Sequence, residues 1–141
     1  MKTKHIVSAV VMPLFLLFTL TGCEIDNNKL LSDGIWTFDD LTTDNQDQTI
    51  KTLIAFAKAL LTDATLEFQE DGNYIMTSPL ADEPSTGTWS LVGDDQLIMD
   101  PDDEPPSTGN IQTLTKTRLV YIETFTDANL NAYSVTTTWI R

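Results

Sequence analysis

Cysteine and histidine, the side chains that most often act as nucleophile, base or metal ligand near neutral pH, occur once each in 141 residues, as Cys23 and His5. Carboxylates are abundant instead, with 21 Asp and Glu against 8 Lys and Arg and a net charge of −13. Two convergent carboxylates can serve as general acid and base in a hydrolase, but no motif brings any chosen pair of these together. Asp94-Asp95 and the run Asp100, Asp102, Asp103, Glu104 offer oxygen atoms suited to calcium. Their spacing lacks the turn glycine of an EF-hand, and Pro105-Pro106 intervenes, so they read as solvated loops. No metal, cofactor or catalytic residue is expected. The acidity excludes nucleic acid as a partner, because a phosphate backbone is bound by cations that displace its counterions. It argues equally against electrostatic attachment to an anionic lipid surface.

Cys23 has a more specific context. Met1 to His5 is a short basic start, and Ile6 to Leu20 is apolar apart from Ser8, Pro13 and Thr19. That run is shorter than the roughly 20 apolar residues of a spanning helix and fits a signal segment. It ends Leu20-Thr21-Gly22-Cys23, which resembles a bacterial lipobox. The resemblance implies cleavage before Cys23 and acylation of its thiol by palmitate-like chains. Residues 1–22 are then a lipoprotein signal peptide, 23–29 a lipidated tether and 30–141 the folded domain. Six tether residues reach ~20 Å when extended, which keeps the domain close to the membrane. Cleavage leaves 119 residues with 6 basic and 21 acidic side chains, net −15, no histidine and no free thiol. Ser-His-Asp and Cys-His catalysis, His-ligated zinc and disulfides are thereby excluded, and the protein is not expected to be an enzyme. Its expected place is the outer membrane of a Gram-negative bacterium, anchored on the periplasmic or cell-surface face.

Short alternating segments with turn punctuation make up most of what remains. Strands are expected from Asp33-Gly34 to about Asp40, over 65–69 and 74–76 around a tight turn at Glu70-Asp71-Gly72-Asn73, and over 88–92, 97–99, 111–115, 118–125 and 131–140. Pro79 to Ser85 and Asp100 to Gly109 are expected as loops. One segment differs. Ile50, Leu53, Ile54, Ala57, Leu60 and Leu61 recur at helical spacing, Asp44 and Asp47 are start signals, and a helix is expected over 47–61. Eight short consecutive strands favour an up-and-down barrel, whose closure removes exposed edges, with a sandwich as the alternative.

Gly34-Ile35-Trp36 is similar to the Gly-X-Trp signature of lipocalins. Further pieces follow in order: Leu66 to Tyr74, Gly87-Thr88-Trp89-Ser90-Leu91, Asp95-Gln96-Leu97 and Ile111 to Leu119. Together they resemble the lipocalin-like domains of Bacteroidetes lipoproteins. The resemblance implies a mainly β fold, an antiparallel up-and-down eight-stranded lipocalin-like barrel with one amphipathic helix between strands 1 and 2. In lipocalins an arginine from a late strand stacks over the signature tryptophan, which assigns Gly34, Trp36 and Arg118 to barrel closure, with Arg141 as the other candidate. The resemblance also implies a cup for a small apolar or amphipathic ligand, with Phe68, Tyr74, Met76, Trp89, Tyr121 and Tyr133 as candidate pocket residues. Phe38, Leu91, Met99, Leu119 and Trp139 are expected to face inward with them. An eight-stranded barrel can equally be filled by its own side chains, and the helix could plug its mouth. A solid core would make the protein a structural module that docks other envelope proteins without a ligand. An enclosed apolar cavity above ~300 Å³ favours the carrier, and a filled interior favours the docking module.

Overall fold

Asp47 ends its extended segment by accepting the Thr49 and Ile50 amides, at 2.7 and 3.2 Å, and this cap starts the one long helix. The structure is a computed structural model describing residues 26–141. Its elements run α1 (Asn27–Ser32), β1 (Ile35–Thr43), α2 (Gln48–Leu60), β2 (Thr65–Phe68), β3 (Asn73–Thr77), β4 (Ser85–Val92), β5 (Gln96–Pro101), β6 (Ser107–Leu114), β7 (Arg118–Thr126) and β8 (Ala132–Ile140). Every strand pairs antiparallel with its sequence neighbour, and β8 returns to β1 to close the barrel. Closure leaves no sheet edge, and the sandwich alternative falls.

The alternation that marks the strands also decides what fills the barrel. Trp36, Phe38, Leu66, Phe68, Tyr74, Trp89, Leu97, Leu119, Tyr121, Val135 and Trp139 all point inward and are buried. β1 keeps its inward face through a bulge. Its register against β8 shifts between Phe38 and Asp40, so the next buried position after Phe38 is Leu41 rather than Asp40.

Two expectations about segment limits are corrected. Asp100 to Gly109 is not one loop, because β5 continues to Pro101, β6 begins at Ser107, and only 102–106 connect them. Pro101 sits at the strand end, where its missing amide donor disrupts no further rung. Gly109 is buried in β6 beneath the Tyr121 ring, where a Cβ would stand 2.7 Å from Cδ2. The tether is also shorter than expected. Asp26 caps α1 by accepting the amides of Asn28 and Lys29, and Leu31 is fully buried, so residues 27–29 belong to the folded unit. Among the described residues, the core side chains run from Leu31 to Trp139 as one cluster, so residues 26–141 carry a core of their own.

The two helices cover opposite ends of the barrel. α1 lies where β1 begins and β8 ends. α2 connects the far end of β1 to β2 and crosses the other mouth, packing Ile54, Ala57 and Leu61 against the core. Lys58 bonds to Asp40 on β1, and the Ser78 hydroxyl donates to the Leu60 carbonyl at 2.7 Å. The Lys58 bond is the main reason the Asp40 carboxyl is held below its usual range. No residue of α2 is fully buried, and Leu53, Phe56 and Leu60 face solvent. The helix rests on a narrow stripe rather than the whole apolar face.

Candidate functional site

At the α1 end the barrel is sealed. The Trp36 indole Nε1 donates to the Leu31 carbonyl at 2.9 Å, and the Arg141 guanidinium stacks with Cζ 3.9 Å from the Trp36 ring centroid. Arg141 also donates to Lys116 O at 2.9 Å through Nε and to Leu30 O at 3.0 Å through Nη2, tying together α1, the β6–β7 turn and the strand ends. Gly34 has φ +130°, and its Cα side is covered by the Arg141 side chain. The closing arginine is therefore Arg141. Arg118 is half-exposed outside the barrel, with Nη1 3.7 Å from Asp39, because it opens β7 one residue before the inward Leu119. Strand parity, not sequence order, separates the two arginines.

Above this seal lies a solid floor. Phe68 and Trp89 meet edge to face at 5.2 Å, and Trp89 Nε1 donates to Gln69 O at 2.9 Å. Phe38 and Trp139 make a second edge-to-face pair at 5.6 Å. Tyr74 is buried against Gly87, where a Cβ would stand 2.8 Å from its ring. Phe68, Tyr74 and Trp89, expected in a pocket, are thus core and line no open space at the helix end.

The open space lies between that floor and α2. A cavity of about 330 Å³, partly open to solvent, is walled by Leu41, Met76, Tyr121, Glu123, Phe125, Tyr133, Val135, Thr137 and Trp139 and overhung by Ile54, Ala57 and Leu61. Met76, Tyr121 and Tyr133 of the expected set lie here. The roof residues and Glu123 were not among the candidates. Glu123 could have been found, since it stands two positions after Tyr121 on the same strand face. The roof could not, because helical spacing does not say what a helix lies over. A broader recess of about 510 Å³ lies at the sealed end, lined by Asp26, Asn28, Lys29, Ser32, Glu70 and the β4 end. It is a surface groove of mixed polar and apolar lining outside the barrel, and Trp89 of the expected set borders it.

The chamber's electrostatics centre on Glu123. Burial pushes its carboxyl above the usual range, and the Ser107 hydroxyl only partly offsets this. The described ion pairs join Lys58 to Asp40 and Arg118 to Asp39, and neither involves Glu123. Burial pushes the neighbouring Tyr121 phenol up to about 12, so it is neutral over the range in which a glutamate titrates. Trp139 and Thr137 beside that phenol draw its value back in part, yet the buried Trp139 Nε1 meets no partner at hydrogen-bond geometry. The folded chain holds the Glu123 proton more tightly than the unfolded chain does. Stability from this group is therefore full below the ordinary glutamate range and lost as pH rises through the higher folded value. Glu123→Gln is expected to raise stability at neutral pH by on the order of 1 kcal/mol, with the gain vanishing at about pH 4. Urea midpoints of both proteins at the two pH values measure it, and parallel pH dependences would refute it.

Among the described residues, no three His, Cys, Asp or Glu side chains are grouped as a metal site, and no helix is long and apolar enough to cross a membrane. A closed eight-stranded antiparallel barrel, sealed by a tryptophan–arginine stack and roofed by a helix over an apolar chamber, defines the lipocalin-like class of barrels. The chain belongs to the lipocalin-like domain family, whose model matches residues 33–121. It is similar in fold to a DUF4847 family protein from Bacteroides vulgatus, with TM-score 0.50 and 15% identity, covering 79% of this chain and 96% of that one. It is also similar to a bovine odorant binding protein solved with a selenium-containing odorant, with TM-score 0.50, 18% identity, and 82% and 73% covered. At these identities the likeness is one of fold. No curated protein sequence matches the chain.

Proposed function

We propose that this protein is a lipid-anchored lipoprotein of the cell envelope whose barrel holds a small apolar or amphipathic ligand without transforming it. The observation that carries the binding role is the chamber of about 330 Å³ beneath α2, within the size range of small-molecule sites and walled chiefly by apolar side chains. The bovine odorant binding protein, which has the same fold, was solved with an odorant, in keeping with a carrier. Anchoring rests on Leu20-Thr21-Gly22-Cys23, which lies outside the described residues. Residues 1–22 act as signal, Cys23 carries the lipid, and a short linker joins it to the capped start of α1. The anchor holds the barrel at the outer membrane of a Gram-negative bacterium, on its periplasmic or cell-surface face.

One observation favours a second reading. Leu53, Phe56 and Leu60 on α2 face solvent, as a helix that docks another envelope protein would present them. Native mass spectrometry of residues 26–141, incubated with a lipid and metabolite extract, decides between the two. A stoichiometric adduct is expected, and Ala57→Trp, which grows a ring from the roof into the chamber, is expected to abolish it. A bare mass across the whole extract would overturn the carrier and leave the docking role.

A further inference from the structure

The chamber wall carries one carboxylate and no basic side chain. Glu123 lies between Tyr121 and Phe125 on its own strand face, and pairs across to Val135, so that Tyr133 and Thr137 flank it from β8. The Phe125 and Tyr133 rings stack 5.8 Å apart beside it. Three aromatic residues therefore neighbour the acid in the sheet, and an aromatic face carries a negative potential that attracts a cation. Among the described residues no cation pairs with the carboxylate, since the helix above contributes Ile54, Ala57 and Leu61 to the roof and its Lys58 is paired with Asp40. An unpaired charge at an apolar wall is costly, and a cation placed there offsets that cost. A fatty-acid carboxylate would bring a like charge to the same place.

Taking the chamber as a ligand site, the geometry points to an amphipathic amine as its occupant, the ammonium against Glu123 among the Tyr121, Phe125 and Tyr133 rings and the tail under α2. The inference depends on the carrier role, and the test separates the two.

Octylamine, octanol and octanoate share one tail and differ in headgroup charge. Titration calorimetry of residues 26–141 at neutral pH is expected to give octylamine an affinity about tenfold above octanol, equivalent to roughly 1.4 kcal/mol, with octanoate weakest. Glu123→Gln should bring the ratio of octylamine to octanol affinity to about one. That variant removes a half-buried charge and keeps the side-chain shape, so it retains the fold, and a melting curve confirms this. Octanoate binding as tightly as octylamine, or an amine preference that survives Glu123→Gln, would overturn the inference and leave the carrier standing. Failure of all three probes to bind would overturn the carrier and the amine together.

Discussion

Trp36→Ala is expected to remove roughly 3–5 kcal/mol of folding stability, the range for deleting a large buried aromatic ring. That is a large share of the 5–15 kcal/mol typical of a domain. Three losses coincide at this position. The ring is fully buried, so its removal leaves a cavity at the sealed end. The Leu31 carbonyl loses its indole donor, and α1 loses one of the bonds that join it to the barrel. The Arg141 guanidinium loses the face it stacks on. Arg141→Ala should cost less, about 1–3 kcal/mol, by freeing the Leu30 and Lys116 carbonyls while the tryptophan stays in place. Arg118→Ala should fall within about 0.5 kcal/mol, because a half-exposed pair at 3.7 Å is well screened. Urea denaturation of the three variants orders them. An Arg118→Ala cost equal to that of Arg141→Ala would contradict the assignment of barrel closure to Arg141.

Cys23→Ser is expected to abolish acylation altogether. Each buried methylene of an acyl chain contributes about 0.8 kcal/mol to membrane attachment, and stable anchoring takes more than one chain. A serine offers no thiol for the first of them. In a Gram-negative host fed labelled palmitate, the parent chain should incorporate label and the variant none. The intact mass of the parent should correspond to Cys23–Arg141 plus its acyl groups. Equal labelling of the variant, or a mature chain that begins elsewhere, would refute the anchor while leaving the barrel and its chamber untouched.

These two predictions draw on different depths of information. The Cys23 prediction needs only four residues and an apolar run before them. The strands were legible for a related reason, since period-two alternation at Trp36 and Phe38 or Leu66 and Phe68 reflects a local rule of side-chain direction. Asp47 was legible as a helix start because a cap acts within three residues. Where composition stood in for direction, the reading failed. Prolines and acids at 100–109 signalled a loop, yet the residues around Leu97 and Gly109 pair as strands.

The site was legible only in part. Met76, Tyr121 and Tyr133 reach the chamber, whereas Phe68, Tyr74 and Trp89 share their inward parity and form the floor and wall core below it. Parity tells inside from outside, but height along the barrel axis depends on strand stagger, which arises from pairing between distant segments. Parity alone turns Arg118 outward beside the inward Leu119, but seating Arg141 on Trp36 needed the same long-range information, because the stack requires the end of β8 to return beside the start of β1.

The amino-acid sequence by itself determined the all-β class, the helix and its cap, and the inward set of aromatic residues, because each follows from interactions a few residues apart. Only the tertiary structure decided that α2 bridges the mouth on a narrow stripe, that a space remains beneath it, and that Glu123 faces that space with no cation among the described residues to pair it. Those outcomes depend on how volumes and charges from distant strands add up at one point, which no local pattern encodes.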